Sequence, residues 1–535
     1  MLDGCTPWPG DFAVRYRDHG HWSGETLADL PAQWAKHFRN RTALVHNECR
    51  ITFTEFKRRV LRMAAGFRAH GLVPGDRVVV QLPNTPEFVI ACFALISIDV
   101  KPVFALPAHR AGEVRHLLAM TDAAGYLIPD HSHGFDHAAL ATTLLAEFPS
   151  LRVFVHGKEI PERAVSLAEV DAEPEPLPAL DPAEVAFFLL SGGTTALPKL
   201  IPRTHNDYAY QTRAAAAVTG LTRSDVYLAA LPAAFNFTWG CPGIIGALRV
   251  GGAVVFVDDP IPADCFDLIE REQVTVTALV PAIAQMWLDA VEDDSHDLAS
   301  LRIVQIGGAP VLYDTAVRIG PGFGCRLQQV FGMAEGLLTM TRDTDALESM
   351  LNTQGRPLSP DDEIRIVGDD GAELPPGETG ELHTRGPYTL RGYYRASEYN
   401  ATAFTEDGFY RTGDLARLTP AGELVVQGRR KDVIIRGGNK ISAAEVENYL
   451  IEHPAVDQVA VVPIPDPYLG ERICAYIRST ENPPTLAELR KTLRDRGIAE
   501  YKLPDRVEIV PEFPLTGLGK VDKKALSARA AERSA

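Results

Sequence analysis

Between Glu55 and Ile98 the chain passes from a helical pattern to a strand and back to a helix, and that alternation limits its possible folds more than any other feature. Glu55 to His70 sets Phe56, Val60, Met63, Ala64 and Phe67 at three- and four-residue spacings, with Lys57, Arg58, Arg59 and Arg62 between them. That is the pattern of an amphipathic helix. Gly71 and Pro74-Gly75-Asp76 break it, Arg77 to Leu82 then reads as a buried strand, and Glu87 to Ile98 reads as a second helix. Short β-rich runs recur at Tyr126–Ile128, Arg152–Val155, Ala253–Val257 and Arg302–Ile306, separated by helical stretches, so an α/β layered architecture is expected. A Pro- and Glu-rich linker lies between Asp171 and Asp181. From about Glu363 the texture changes to a β-rich subregion closed by turns such as Asp369-Asp370-Gly371 and Glu406-Asp407-Gly408. After Gly428, the basic Arg429-Arg430-Lys431 leads into Val433-Ile434-Ile435, a helix from Ala443 to Glu452 and a strand from Gln458 to Ile464, a compact α+β unit. The expected division is a large N-terminal body over 1–428, made of layered α/β subdomains plus the β-rich subregion, and a small α+β C-terminal domain over 429–535.

At 535 residues the chain exceeds what one core of roughly 250 to 300 residues absorbs, which agrees with that division. Its 53 Lys+Arg against 70 Asp+Glu give a formal charge of −17, so the broad positive field that nucleic acid requires is missing. The seven cysteines are scattered and form no C-x-x-C pair, which fits a reducing compartment better than a disulfide framework or zinc ribbon. Met1 to Gly10 lacks the basic-then-apolar run of an export signal, so a cytoplasmic protein is expected. The most apolar stretch, Val226 to Val257, is broken by Pro232, Gly240, Pro242 and further glycines and contains Arg249. It reads as buried core rather than a membrane span.

The most informative segment runs from Phe188 to His205: an apolar strand, then Ser191-Gly192-Gly193-Thr194-Thr195-Ala196-Leu197-Pro198-Lys199. Backbone N–H groups and hydroxyls in such a loop close around phosphate oxygens, with the lysine supplying charge. The Walker spacing is absent. Four more segments follow in order: Phe331-Gly332-Met333-Ala334-Glu335, Tyr410-Arg411-Thr412-Gly413-Asp414, Gly428-Arg429-Arg430-Lys431-Asp432 and Pro514-Leu515-Thr516-Gly517-Leu518-Gly519-Lys520. In this order and spacing the chain resembles, over essentially its whole length, the adenylate-forming superfamily of acyl- and aryl-CoA synthetases, peptide-synthetase adenylation domains and luciferases. Leu190 to Gly193, Lys199 to His205, Thr6-Pro7-Trp8-Pro9 and Trp22 sharpen the resemblance to the free-standing aryl acid–AMP ligases of siderophore and related pathways. One departure lies in the loop, where Ala196 occupies a position usually held by glycine. At φ > 0 an alanine costs about 1 kcal/mol, so a slightly reshaped loop is expected.

The resemblance implies a site. Ser191, Gly192, Gly193, Thr194, Thr195 and Lys199 are expected to hold the phosphates of ATP, and Glu335 a Mg²⁺ ion. Phe331 lies against adenine with Gly308 allowing close approach, Asp414 takes the ribose hydroxyls and Arg429 contacts the ribose. Lys520 is the catalytic lysine that bridges the substrate carboxylate and the α-phosphate. Lys431 is the hinge of a mobile C-terminal cap, which rotates after adenylation so that a face near Arg436-Gly437-Gly438 lines the path of a thiol. One pocket cannot present both a charge-neutralising lysine and a free thiol path.

Phe235, Asn236, Cys241, Gly308 and Leu338 correspond to the aryl acid site. Phe235 stands where aryl ligases usually have histidine. Cys241 stands where salicylate enzymes tend to have cysteine and dihydroxybenzoate enzymes serine, which favours a salicylate-like 2-hydroxy- or 2-aminobenzoate over 2,3-dihydroxybenzoate, because a thiol is the weaker partner for a 3-hydroxyl. The acceptor is a phosphopantetheine thiol of a carrier protein in trans, or coenzyme A, since only 15 residues follow Lys520. A ligase for a different acid, a luciferase-like oxygenase and an adenylate-binding regulator share the fold and stay open.

Overall fold

The computed structural model describes residues 1–191, 198–309, 311–429, 433–436, 439–466, 469–479, 482–495, 498, 502–516 and 520–532. The alternation of helix and strand becomes two mostly parallel sheets with helices between and outside them. One sheet runs, in spatial order, Leu200–Thr204, Val185–Leu190, Lys101–Phe104, Arg77–Val80, Gly125–Pro129, Arg152–His156 and Val165–Ser166. The other runs Arg356–Pro357, Gly336–Met340, Arg326–Met333, Ile303–Gly307, Val276–Leu279, Val226–Ala229, Ala253–Phe256, Thr42–His46 and Cys49–Thr52.

Side-chain alternation along a strand explains the layering. Val78 and Val80 enter the core between the two sheets, shared with Tyr227, Ala229, Val254 and Phe256 of the other sheet. Val79 turns to the opposite face, against Val114, Leu117 and Leu144 of the outer helices Ala111–Thr121 and His137–Glu147. The second sheet does the same, sending Leu228, Val255 and Ile306 outward to Phe266, Trp287 and Phe323. The helix Phe53–Ala69 keeps its basic face outside, where Arg62 reaches Asp171 and Glu173 and so holds the acidic linker. The helix Pro86–Ser97 is apolar all round because both sheets enclose it. The stretch Val226 to Val257 is buried core, as its interruptions suggested, and among the described residues no helix is long and apolar enough to cross a membrane.

The β-rich texture after Glu363 is an antiparallel sheet of Glu363–Val367, Gly380–Arg385, Tyr410–Leu418 and Leu424–Arg429. Beyond it, Asn439–Ser442, Val433–Arg436, Gly470–Arg478, Gln458–Asp466 and Arg506–Ile509 form a further sheet. Its two faces are covered separately, by Val446, Leu450, Leu489 and Leu493 on one side and by Leu526 and Ala530 on the other.

In open α/β sheets, ligands bind beyond the carboxyl ends of the strands. Several of the segments named from sequence leave strands at these ends. Ser191 after Val185–Leu190, Gly308 after Ile303–Gly307, the turn after Arg326–Met333 and residues 230–236 after Val226–Ala229 all leave parallel strands at those ends. Asn84 ties the two sheets together at this level, donating to the carbonyls of Ala229, Leu231 and Val257 and accepting from Ala233 N–H.

Candidate active site

The phosphate-loop candidate is the connection of an antiparallel hairpin in which Leu190 faces Leu200. Its base is locked twice: Ser191 N–H donates to the Lys199 carbonyl at 2.9 Å, and Lys199 N–H donates to Ser191 Oγ at 3.0 Å. The Lys199 ammonium lies 4.1 Å from the Tyr399 ring centroid and 5.5 Å from that of Tyr393. An aromatic face attracts a cation there. Gly192, Gly193, Thr194, Thr195 and Ala196, together with Lys431, Gly437 and Gly438, lie outside the described residues.

Glu335 is buried, and Tyr393 OH donates to its Oε1 at 2.7 Å while sharing a 2.8 Å hydrogen bond with Tyr410 OH. Asp414 follows Gly413, whose φ of +72° turns the strand so that the carboxylate is carried inward. Arg429 Nε donates to Asp414 Oδ1 at 3.1 Å across the paired strands Tyr410–Leu418 and Leu424–Arg429. Burial pushes the Asp414 carboxyl up despite Arg429.

Lys520 is brought to the same place from the end of the chain. A Cβ built on Gly308, whose φ is +81°, would come within 4.0 Å of Lys520 Cε. Burial, with Arg429 beside it, holds the Lys520 ammonium below the ordinary lysine range, while Asp414 and Glu335 pull the other way. One place therefore holds an ammonium and two buried carboxylates beside the half-exposed guanidinium of Arg429. Arg436 is engaged elsewhere, in a bidentate pair with Asp505 at 2.7 and 2.9 Å.

The second half of the site adjoins the first through Gly307. A Cβ there would meet the Phe237 ring at 3.1 Å and the Val330 carbonyl at 2.6 Å. Asn236, at the start of the short helix Asn236–Gly240, accepts on Oδ1 from Tyr208 OH at 2.8 Å and from Gln211 at 3.3 Å, and its Nδ2 donates to the Met333 carbonyl at 3.4 Å. Cys241 is buried, with Gln211 Nε2 3.7 Å from its sulfur, and burial pushes its thiol up to about 12. Cys241, Leu338 and Phe237 share one apolar cluster with Val330 and Tyr388, and Leu338 Cδ2 would lie 2.4 Å from a Cβ at Gly332. Phe235 is half-buried and packs against the core that also takes in Met333 and Ala334. Phe331 sits on the neighbouring cluster of Leu337, Ile366 and Leu382.

Several residues of this arrangement carry no signal of their own in the sequence. Phe237 and Gly307 stand beside singled-out residues, and Tyr393, Tyr399, Tyr208 and Gln211 read as ordinary aromatics and helix polars. Arg203 lies inside the Lys199 to His205 segment, and its guanidinium, fully buried, donates to the Ala334 carbonyl at 2.9 Å directly before Glu335. Such partners become visible only when distant segments meet.

The AMP-binding enzyme family matches residues 31–394, and the AMP-binding enzyme C-terminal domain matches residues 445–520. The chain is 50% identical over 533 residues to the 2,3-dihydroxybenzoate-AMP ligase of Bacillus subtilis, covering 100% of this chain and 99% of that one. It is 46% identical to the salicyl-AMP ligase / salicyl-S-ArCP synthetase of Mycobacterium tuberculosis, over 98% of this chain and 94% of the relative. Among solved structures, apo MbtA of Mycobacterium smegmatis superposes with a TM-score of 0.76 at 45% identity, covering 98% of this chain and 99% of its own.

Proposed function

The chain belongs to the AMP-binding enzymes, as an aryl acid–AMP ligase, and from that premise we propose that it activates a salicylate-type acid and passes the aryl group to a thiol. A carboxylate oxygen of the acid attacks the α-phosphorus of ATP, the bond to the β-phosphate oxygen breaks, and aryl-AMP and pyrophosphate result. The phosphopantetheine sulfur of a carrier protein, or of coenzyme A, then attacks the acyl carbon and AMP leaves.

The first step brings two anions together, so fixed positive charge must be in place before the reaction. The observation that carries the reading is the position of Lys520, beside Gly308 and within the influence of Asp414, Glu335 and Arg429. We assign it the charge between the acid's carboxylate and the α-phosphate. Asp414, with Arg429 fixed against it, serves the ribose. Phe331 and Gly308 border the adenine, and Ser191 through Thr195 with Lys199 border the phosphates. Lys199 lies over Tyr399 and near the ring of Tyr393, the hydroxyl of which donates to Glu335.

Glu335 suits a hard cation such as Mg²⁺, being a buried carboxylate whose Oε1 is oriented by Tyr393. A bound Mg²⁺ would supply charge neutralisation of the phosphate oxygens. Lys431 serves as the hinge between a body over 1–428 and a cap over 429–535 in a cytoplasmic enzyme.

Asn236, Phe235, Phe237, Cys241 and Leu338 line the acid side. The sulfur of Cys241 already has Gln211 beside it and stays a thiol, so it offers a 3-hydroxyl little. This supports salicylate over 2,3-dihydroxybenzoate. ATP–pyrophosphate exchange with a panel of benzoates tests the reading: salicylate should give the higher kcat/KM, and Cys241→Ser should raise 2,3-dihydroxybenzoate relative to salicylate by about tenfold. A wild-type preference for the dihydroxy acid would overturn the choice of acid, and acid-independent exchange would overturn the activity. Adding carrier protein or coenzyme A to the same assay identifies the acceptor.

A further inference from the structure

We propose that Arg203 is a positioning residue which, through Gln211, fixes the pole of the Asn236 amide that faces the aryl acid. The inference rests on the activity assigned above and concerns a residue that does not itself touch the acid.

A guanidinium has only donors. Arg203 Nη2 lies 2.8 Å from the side-chain oxygen of Gln211, so that oxygen is held as an acceptor and the Gln211 NH₂ must point the other way. There it lies 3.1 Å from the Gly240 carbonyl, 3.3 Å from Asn236 Oδ1 and 3.7 Å from the Cys241 sulfur. Tyr208 OH adds a second donor to Asn236 Oδ1 at 2.8 Å. With its oxygen taken twice, Asn236 can only offer N–H to the pocket, and Nδ2 makes one long contact, 3.4 Å to the Met333 carbonyl. An ionised carboxylate is purely an acceptor, so this orientation attracts it and the reverse would repel it.

Arg203 can act as the reference point of the relay because it cannot turn. Its side chain is 0% exposed. Nε donates to Asp207 at 2.9 Å, Nη1 to the Ala334 carbonyl at 2.9 Å, and Nη2 also to the Tyr388 carbonyl at 3.2 Å. Asp207 is in turn fixed by Thr204 N–H and Oγ1, each at 2.7 Å. A planar fork held at several points transmits orientation, which the single rotatable charge of a lysine does not. The same guanidinium fastens the carbonyl before Glu335, so one buried group sets both the polarity of the acid pocket and the seat of the proposed metal ligand.

The test compares Gln211→Glu with Gln211→Met in ATP–pyrophosphate exchange. Glutamate keeps the shape and the Arg203 contact but turns an acceptor towards Asn236, inverting the relay. Methionine removes the relay without inverting it and leaves Tyr208 in place. The expected result is a rise in KM for the acid of about 10- to 100-fold in Gln211→Glu, a smaller rise in Gln211→Met, and KM for ATP within about twofold in both. A role in packing alone predicts the opposite order, since glutamate is the closer isostere. Equal KM values for the acid, a larger effect of methionine, or a parallel rise in KM for ATP would overturn the proposal. If the wild type shows no acid-dependent exchange, the activity assignment fails first.

Discussion

At the scale of single residues, charge decides what the cleft can do. The Lys520 ammonium lies below the ordinary lysine range because burial and Arg429 outweigh Asp414 and Glu335. Its charged form exists below its pKa, so kcat/KM for adenylation should fall as pH rises through that lowered value. The phosphates of bound ATP favour the charged form, so the alkaline limb of kcat should lie at higher pH than that of kcat/KM. Coincident limbs would remove Lys520 as their source. Lys520→Ala should cost adenylation at least about a hundredfold while leaving thioester formation from preformed aryl-AMP within a few-fold. Equal loss of the two half-reactions, followed by single-turnover kinetics, would contradict the assignment.

At the scale of elements, the site depends on how closely two parallel strands approach. Gly307 pairs with Val330 in register, and a Cβ at 307 would stand 2.6 Å from the Val330 carbonyl, which is backbone and cannot swing aside. Gly307→Ala should therefore cost about 1–3 kcal/mol of stability, read as a lower melting temperature. Because the same Cβ would press the Phe237 ring, KM for the acid should rise more than KM for ATP. An unchanged KM for the acid would show that Phe237 does not border the pocket. That Arg77 to Leu82 is a strand buried on both faces, with Val78 and Val79 in different cores, was legible from the sequence, since three consecutive valines leave neither face polar. The closeness of Gly307 to Val330 was not, because a glycine in an apolar run looks the same whether it faces backbone or space.

At the scale of the whole molecule, the position of Lys520 matters more than any contact within one sheet. The body supplies Gly308, Glu335 and Asp414, and the end of the chain supplies the lysine. Arg436, on the face proposed to line the thiol's path, is paired with Asp505 at 2.7 and 2.9 Å. Proline at the proposed hinge, Lys431→Pro, fixes φ and should slow one half-reaction far more than the other. The expected outcome is retained acid-dependent exchange with thioester formation reduced at least about tenfold. Equal retention of both would place the pivot elsewhere.

The layered α/β plan and the order of the five motifs are legible in the sequence, because periodicity, turn residues and motif spacing are local properties of the chain; the class of chemistry is what the resemblance carried by those motifs implies. The same resemblance puts forward Ser191, Lys199, Glu335, Asp414, Arg429 and Lys520 as candidate site residues. Which groups hold those residues in place emerges only when distant segments pack together. Arg203 and Gln211 stand next to Ala334 and Asn236 through hydrogen bonds spanning 131 and 25 residues. Tyr393 meets Glu335 across 58. A buried polar side chain needs partners, and folding alone determines which distant segment supplies them.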